Sequence, residues 1–261
     1  MVTRFAPAPT GWLHLGHVLN AEYVWGSAAA VVLRIEDHDR ERCRPEYEAG
    51  ILEDLEWLGY RSDFPLVRQS EREGIYRQAF EQLRTRQLTY ACDCTRAEIE
   101  ERTATSATRN GPGELKYDGH CRDRRLPLAD GVGWRVRIDA GVERFVDGFV
   151  GPQEQDPSAQ CGDVLIRDRR GNWTYQFVAA VDDFRQGIDL VIRGVDLLAS
   201  TGRQIRIARL LGRTTPPEFR HHPLIMKTAD QKLSKSDGDT GVRDLRARGW
   251  TSEQVRAAAR T

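Results

Sequence analysis

The chain predicts an α/β fold on a largely parallel sheet. Short β-branched apolar runs alternate with segments of helical apolar spacing, a glycine-bearing turn joins the first strand to the first helix, and a polar, cysteine-containing stretch interrupts the alternation. The 261 residues are 39% hydrophobic and 30% charged, enough for a stable core and too ordinary for disorder or a fibrous repeat. No apolar run exceeds Ala28 to Leu33, and Met1-Val-Thr-Arg4 lacks an apolar signal core. Neither a membrane span nor secretion is therefore expected, and a cytoplasmic monomer is.

In chain order, Val2 to Ala6 reads as a strand, Pro7-Ala-Pro-Thr-Gly11 turns the backbone, and His14-Leu-Gly-His17 leads into a helix over Val18 to Trp25. A strand, a glycine turn and a helix in succession form a phosphate-site geometry. Ala29 to Ile35 is a second strand, ending in Glu36-Asp-His-Asp39. Pro45 opens a helix in which Ile51, Leu52, Leu55 and Leu58 share a face, and Ile75, Tyr76, Phe80 and Leu83 mark another. From Leu88 to Asp130 the pattern breaks into cysteines, a polar loop over Thr103 to Gly113 and the charged Arg122-Asp-Arg-Arg125, which reads as an insertion. Strand signals return at Trp134 to Ile138, Asp163 to Asp168 and Trp173 to Val181, and Ile188 to Ile192 is the last buried strand. Gln204 to Leu211 is helical, Pro216-Pro217 is a joint, and Thr251 with Gln254 makes a capping box for a final short helix. The expected organisation is one domain over 1–215, interrupted by the insertion 88–130, and a C-terminal segment 216–261.

The net charge of zero conceals two asymmetries. Only Lys116, Lys227, Lys232 and Lys235 are lysines among 39 basic side chains, and three of them fall within nine residues, which suggests a chemical requirement. Residues 200–261 carry 13 basic and 6 acidic side chains, a net of +7, so residues 1–199 carry −7, and a polyanion would be drawn to the C-terminal end. Five cysteines, an odd number, argue against a disulfide framework; Cys43 and Cys161 read as ordinary small side chains, whereas Cys92, Cys94 and Cys121 share one 30-residue stretch.

Pro7-Ala-Pro-Thr-Gly-Trp-Leu-His-Leu-Gly-His17, joined at long range to Lys232-Leu-Ser-Lys-Ser236, resembles the paired signatures of class I aminoacyl-tRNA synthetases. The resemblance implies a Rossmann-type catalytic domain that forms an aminoacyl adenylate from ATP with Mg²⁺. Such chemistry needs no protein nucleophile, because the substrate carboxylate attacks the α-phosphorus directly and the enzyme positions two anions and stabilises a negatively charged transition state. His14 and His17, beside helix amides, can donate to phosphate oxygens, and Gly16 between them is expected at the ATP site. Lys232 and Lys235 would hold the leaving pyrophosphate as mobile point charges, with Lys235 also on ATP.

Arg34-Ile-Glu-Asp-His-Asp-Arg-Glu-Arg42, Leu55-Glu-Trp-Leu-Gly59, Val181-Asp-Asp183 and Val191-Ile-Arg-Gly-Val-Asp-Leu-Leu-Ala-Ser-Thr-Gly-Arg-Gln204 are similar to stretches of the glutamyl branch, so the resemblance covers nearly the whole chain. Val195, Gly202 and Leu233 depart from an acidic residue, a proline and a methionine of that pattern, and none removes a charge assigned to chemistry. Glutamate carries one ammonium and two carboxylates. By resemblance Glu36 pairs with the ammonium, Arg4 and Arg193 grip the carboxylates in either assignment, Tyr175 completes the side-chain pocket, and Phe5, Ala6, Pro7 and Ala8 border it.

Cys92-x-Cys94, 22 intervening residues and Tyr117-x3-Cys121 resemble the zinc site of bacterial glutamyl-type enzymes. Three soft anionic ligands suit a structural Zn²⁺. The family pattern favours Tyr117 as fourth ligand; His120 is the rival on chemistry, though its adjacency to Cys121 is awkward. The chain stops 25 residues after Ser236, where full glutamyl enzymes continue into an anticodon-binding region. That absence of an anticodon-binding domain places it by resemblance with the truncated bacterial paralogues, which transfer glutamate to queuosine at the wobble position of tRNA(Asp). The alternatives are a catalytic fragment of an enzyme that charges tRNA(Glu), and a non-catalytic tRNA-binding derivative. The +7 end is the expected landing surface for RNA.

Overall fold

A computed structural model describes residues 1–103, 115–228, 231–232 and 241–260. The chain runs β1 (Val2–Phe5), α1 (Leu15–Trp25), β2 (Ala30–Ile35), α2 (Pro45–Leu58), β3 (Val67–Arg68), α3 (Glu73–Thr85), β4 (Thr89–Cys92), α4 (Arg96–Thr103), β5 (Gly133–Val136), β6 (Glu143–Asp147) and β7 (Gly151–Gln155). It continues through α5 (Pro157–Gln160), β8 (Val164–Arg167), α6 (Tyr175–Arg185), β9 (Leu190–Gly194), α7 (Thr201–Leu210), β10 (Glu218–His222), β11 (Met226–Thr228), β12 (Gln231–Lys232), α8 (Val242–Ala247) and α9 (Ser252–Ala259).

Seven strands form the main sheet in the order β3-β2-β1-β9-β10-β6-β7, parallel throughout except for the β6–β7 hairpin at the edge. From β1 the chain winds outward through β2 to β3, and from β9 it winds the other way to β10. The crevice beyond the carboxyl ends of β1 and β9 is thus a topological switch point, the place where open α/β sheets bind ligands. The β1–β2 register pairs Val2 with Ala30 and Phe5 with Leu33, which fixes where Pro7 and Glu36 emerge beside each other; the Glu36 N–H donates to the Pro7 carbonyl at 3.0 Å.

A second sheet, β4-β5-β8, is antiparallel and takes in residues on both sides of position 130. The strand expected over Trp173 to Val181 is instead the start of α6. Thr174 takes the extended N-cap conformation, and Phe177, Val178, Ala180 and Val181 bury one helical face against Tyr76, Trp134 and Ile207. Among the elements that went unread are the β6–β7 hairpin and β10, which lies between β9 and β6 although Arg220-His-His222 reads as polar. The capping box at Thr251 and Gln254 is present, with the Gln254 N–H at 3.3 Å from Thr251 Oγ1 and the Thr251 N–H at 2.8 Å from Gln254 Oε1.

The C-terminal helices complete the main core. Val242, Leu245, Val255 and Ala259 pack with Leu13, Val18, Leu33 and Ile51, and burying each larger aliphatic contributes about 1.5–3 kcal/mol. Charge reinforces this docking: Arg246 pairs with Glu53 at 2.9 Å, and Arg256, at 2.6 Å, and Arg260 both pair with Glu22. Part of the +7 end therefore faces the −7 body rather than an external polyanion. Among the described residues no helix is long and apolar enough to cross a membrane.

Candidate active site

Helix α1 starts immediately beyond β1, and its first turn is organised by two histidines. The Gly16 N–H donates to His14 Nδ1 at 3.0 Å and the His14 N–H donates to His17 Nδ1 at 3.2 Å. Because both Nδ1 atoms accept, the proton of a neutral ring sits on Nε2 of each, at the positive end of a helix. A Cβ on Gly16 would come within 3.0 Å of the His14 ring, so this cap requires glycine.

The residues expected to bind substrates converge. Arg4, Ala6, Pro7, Ala8, His14, Gly16, His17, Glu36, Tyr175 and Arg193 line one cavity of about 600 Å³ at the switch point. Phe5 does not join them: strand alternation turns it into the core, 1% exposed and 5.2 Å from the Trp25 ring.

Two buried arginines are matched by carboxylates. Arg4 donates from Nε to Asp183 at 3.2 Å and from Nη1 to the Ile192 carbonyl. Arg34 donates to Asp183 at 2.9 Å and to Glu36 at 3.2 Å. Burial pushes the Asp183 carboxyl up, but Arg4 and Arg34 outweigh it and hold the group below its ordinary value. Glu36, held by Arg34, borders the cavity.

Arg193 is different. Its direct partners are neutral: His221 Nε2 at 3.0 Å, Gln204 Oε1 at 2.7 Å and Thr201 Oγ1 at 2.9 Å. The guanidinium is 3% exposed, and burial lowers its affinity for the proton. A buried cation without a bonded anion is costly unless a ligand supplies one. Tyr175, on the first residue of α6, lies against Arg193, and burial raises its hydroxyl pKa, so the phenol stays a neutral donor.

The lysine signature is only partly described. Lys232 ends the β11–β12 pair opposite Met226, while its side chain and the whole of Lys235 lie outside the described residues. The far end of that segment is anchored: Gly241 forms an isolated bridge with His14, and the Val242 N–H donates to the Leu13 carbonyl at 2.9 Å. Gly241 and Val242, which follow the lysine signature in the chain, therefore pack beside the first signature at the start of α1. Arg243, counted above in the expected RNA surface, stacks 4.2 Å from the Trp12 ring of the first signature.

Cys92, Cys94 and Cys121 have sulfurs within 4.8 Å of one another. Tyr117, 4% exposed, places its hydroxyl 3.4 Å from Cys92 Sγ and accepts the Cys121 N–H at 2.8 Å; His120 is exposed and outside the cluster. Arg102 donates to Cys94 Sγ at 3.3 Å and Arg124 to Cys121 Sγ at 3.5 Å, while Cys121 Sγ also lies 3.2 Å from Asp93 Oδ1. Burial and the neighbouring sulfurs push Cys94 up to about 12, the penalty a bound cation would remove. Three thiols and one phenol at this spacing fit a tetrahedral Zn²⁺. Gly162, at φ +68°, lies against the Tyr117 carbonyl, 2.2 Å from where a Cβ would stand.

A second cavity, of about 640 Å³, opens between this cluster and α6; Arg135, Arg169, Arg170 and Arg203 line it, and it shares Tyr175 with the first. Sequence reasoning missed Asp147 and His221 as site residues, and Thr201 lay in a quoted stretch with no role given to it. Gln204 and Asp183 stood inside quoted stretches without a role, and their burial as polar groups is the signal that finds them.

The chain matches, over residues 1–259, the family described as the catalytic domain of class I tRNA synthetases (E and Q). It is 43% identical to the glutamyl-Q tRNA(Asp) synthetase of Bordetella bronchiseptica, over 91% of this chain and 75% of that one. Identity to the glutamyl-Q tRNA(Asp) synthetase of Rhodobacter capsulatus is 38%, with 98% of each chain covered. The crystal structure of a glutamate tRNA ligase from Elizabethkingia meningosepticum, in complex with its amino acid, superposes with a TM-score of 0.76 at 30% identity. It covers 92% of this chain, which spans about half, 52%, of the ligase.

Proposed function

We propose that this chain, which belongs to the glutamyl and glutaminyl branch of the class I tRNA synthetases, activates L-glutamate with ATP and passes it to the queuosine base of tRNA(Asp) in the cytoplasm. The observation that carries the first half is charge matching in the switch-point cavity. Arg4 and Arg34 are bonded to Asp183 and Glu36, whereas Arg193 is bonded only to uncharged groups, which makes it the cation best placed to receive a carboxylate of glutamate. Glu36 takes the ammonium, while Arg4 and Arg193 take the carboxylates, with Tyr175 as a neutral donor beside Arg193.

The α-carboxylate oxygen attacks the α-phosphorus of ATP, the new P–O bond forms, and the bond to pyrophosphate breaks with its electron pair leaving on the pyrophosphate. His14 and His17 donate through Nε2 to phosphate oxygens at the α1 terminus, and Lys232 and Lys235 receive the leaving group. Mg²⁺ bound with ATP supplies further phosphate neutralisation. Cys92, Cys94, Cys121 and Tyr117 would hold a structural Zn²⁺ that fixes the second sheet's edge.

In the second step a hydroxyl of the queuosine cyclopentene ring attacks the mixed anhydride and AMP leaves. The arginine-lined cavity that meets the first at Tyr175 supports an approach from that side, and the names of the relatives above support the acceptor. Glutamate-dependent ATP–pyrophosphate exchange without tRNA tests the activation; exchange with aspartate or glutamine but not glutamate overturns it. Ordinary glutamyl enzymes need their tRNA for this step, so tRNA-independent exchange also favours the queuosine reading.

A further inference from the structure

Arg193 is held by a chain of contacts that runs across three adjacent strands. His221 on β10 is the register partner of Arg193 on β9, and Asp147 ends β6 on the other side of β10. We propose that Asp147 and His221 form a buried positioning pair that sets the tautomer of the imidazole and so aims the Arg193 fork into the cavity. The inference rests on reading that cavity as the glutamate site.

The geometry leaves one consistent proton arrangement. The Asp147 carboxylate accepts from the backbone N–H groups of His221, Phe149 and Val150 at 3.0–3.2 Å, and from the His221 ring at 2.5 Å. An acceptor on that side requires the proton on His221 Nδ1, so Nε2 is bare and accepts Arg193 Nε–H. Both residues are at most 2% exposed, so solvent offers no alternative partner. Burial and the Arg193 charge keep His221 neutral, with its pKa lowered to about 4, while its donors outweigh burial to keep Asp147 ionised.

Of the five guanidinium N–H groups, His221, Gln204 and Thr201 take one from each nitrogen. Each terminal nitrogen carries one further N–H; the Tyr175 hydroxyl also bonds the guanidinium, so a substrate carboxylate would share this end of the fork with Tyr175. Without the pair, Arg193 would keep its charge and lose its aim.

The test is Asp147→Asn. The asparagine oxygen must serve the backbone donors, so its amide faces Nδ1 and drives the ring proton to Nε2, against Arg193 Nε–H. The expected result is a KM for glutamate raised about 10- to 100-fold, with the KM for ATP within about 2-fold and the fold intact by circular dichroism. His221→Phe should match it, whereas His221→Gln, which can still offer an oxygen to Arg193 Nε, should recover most of the loss. Folded variants with unchanged glutamate KM, or equal rises for glutamate and ATP, overturn the proposal. Nitrogen-15 histidine spectra of the wild-type protein decide it independently of substrate: a neutral Nδ1–H tautomer at His221 is required, and an imidazolium or an Nε2–H tautomer overturns it. A wild type without glutamate-dependent exchange would instead refute the functional reading and leave the spectra to judge the pair.

Discussion

Replacing Asp183 by asparagine should both destabilise the protein and loosen its substrate site. Asp183 receives Arg4 at 3.2 Å and Arg34 at 2.9 Å, and Arg34 is fully buried. Both arginines donate to Asp183 Oδ1, so an asparagine oxygen there can still accept them but cancels neither charge, and two guanidiniums remain in the interior with Glu36 paired to Arg34 alone. Removing one partner of a buried ion pair costs about 3–5 kcal/mol. For 261 residues the unfolding entropy is about 0.5 kcal/mol per degree, so the melting temperature should fall by about 6–10 °C. Differential scanning calorimetry measures that fall. Because Arg4 loses the brace that aims it, the KM for glutamate should rise as well. A variant that melts within 2 °C of the wild type with unchanged glutamate KM would show that the network is not what holds the site.

Three further outcomes follow from the same structure. Arg193→Lys keeps the charge but cannot satisfy His221, Gln204 and Thr201 together; glutamate kcat/KM should drop about 100-fold, and a drop below 3-fold would refute the fork. His221 is held neutral with a pKa of about 4 against an ordinary 6.5, so below 6.5 the unfolded chain takes a proton that the folded one refuses. Its contribution is complete above pH 6.5 and is lost towards pH 4, about 3 kcal/mol in all, and His221→Gln should flatten that part of the urea-measured stability profile relative to the wild type. One zinc per chain is expected by elemental analysis; Cys94→Ser should lose it, and Gly162→Ala should weaken it by displacing the Tyr117 backbone, whereas full zinc in Cys94→Ser would contradict the ligand set.

The parts of the fold that were legible in sequence are those in which local pattern and burial agree. Ala30–Ile35 and Pro45–Leu58 show their apolar faces openly, and the cap at Thr251 is complete within four residues. The run from Trp173 to Val181 failed because an apolar stretch of that length suits a buried strand or a helix equally well. β10 failed for a functional reason: a strand between two others should be apolar, yet His221 and His222 are buried polar groups held by Asp147 and by Asn20. The histidine signature was visible as a motif because its partners lie within one helical turn. Asp147 was invisible because its role depends on a contact 74 residues away. The charge asymmetry was real but partly misdirected, since Arg246, Arg256 and Arg260 answer carboxylates of the body.

The identity of the acceptor is tested most directly by transfer of radiolabelled glutamate, with ATP, to tRNA(Asp) carrying queuosine, to tRNA(Asp) lacking it, and to tRNA(Glu). Label is expected on the queuosine-bearing tRNA(Asp) alone. Label on tRNA(Glu), or equal label on tRNA(Asp) with and without queuosine, would contradict it.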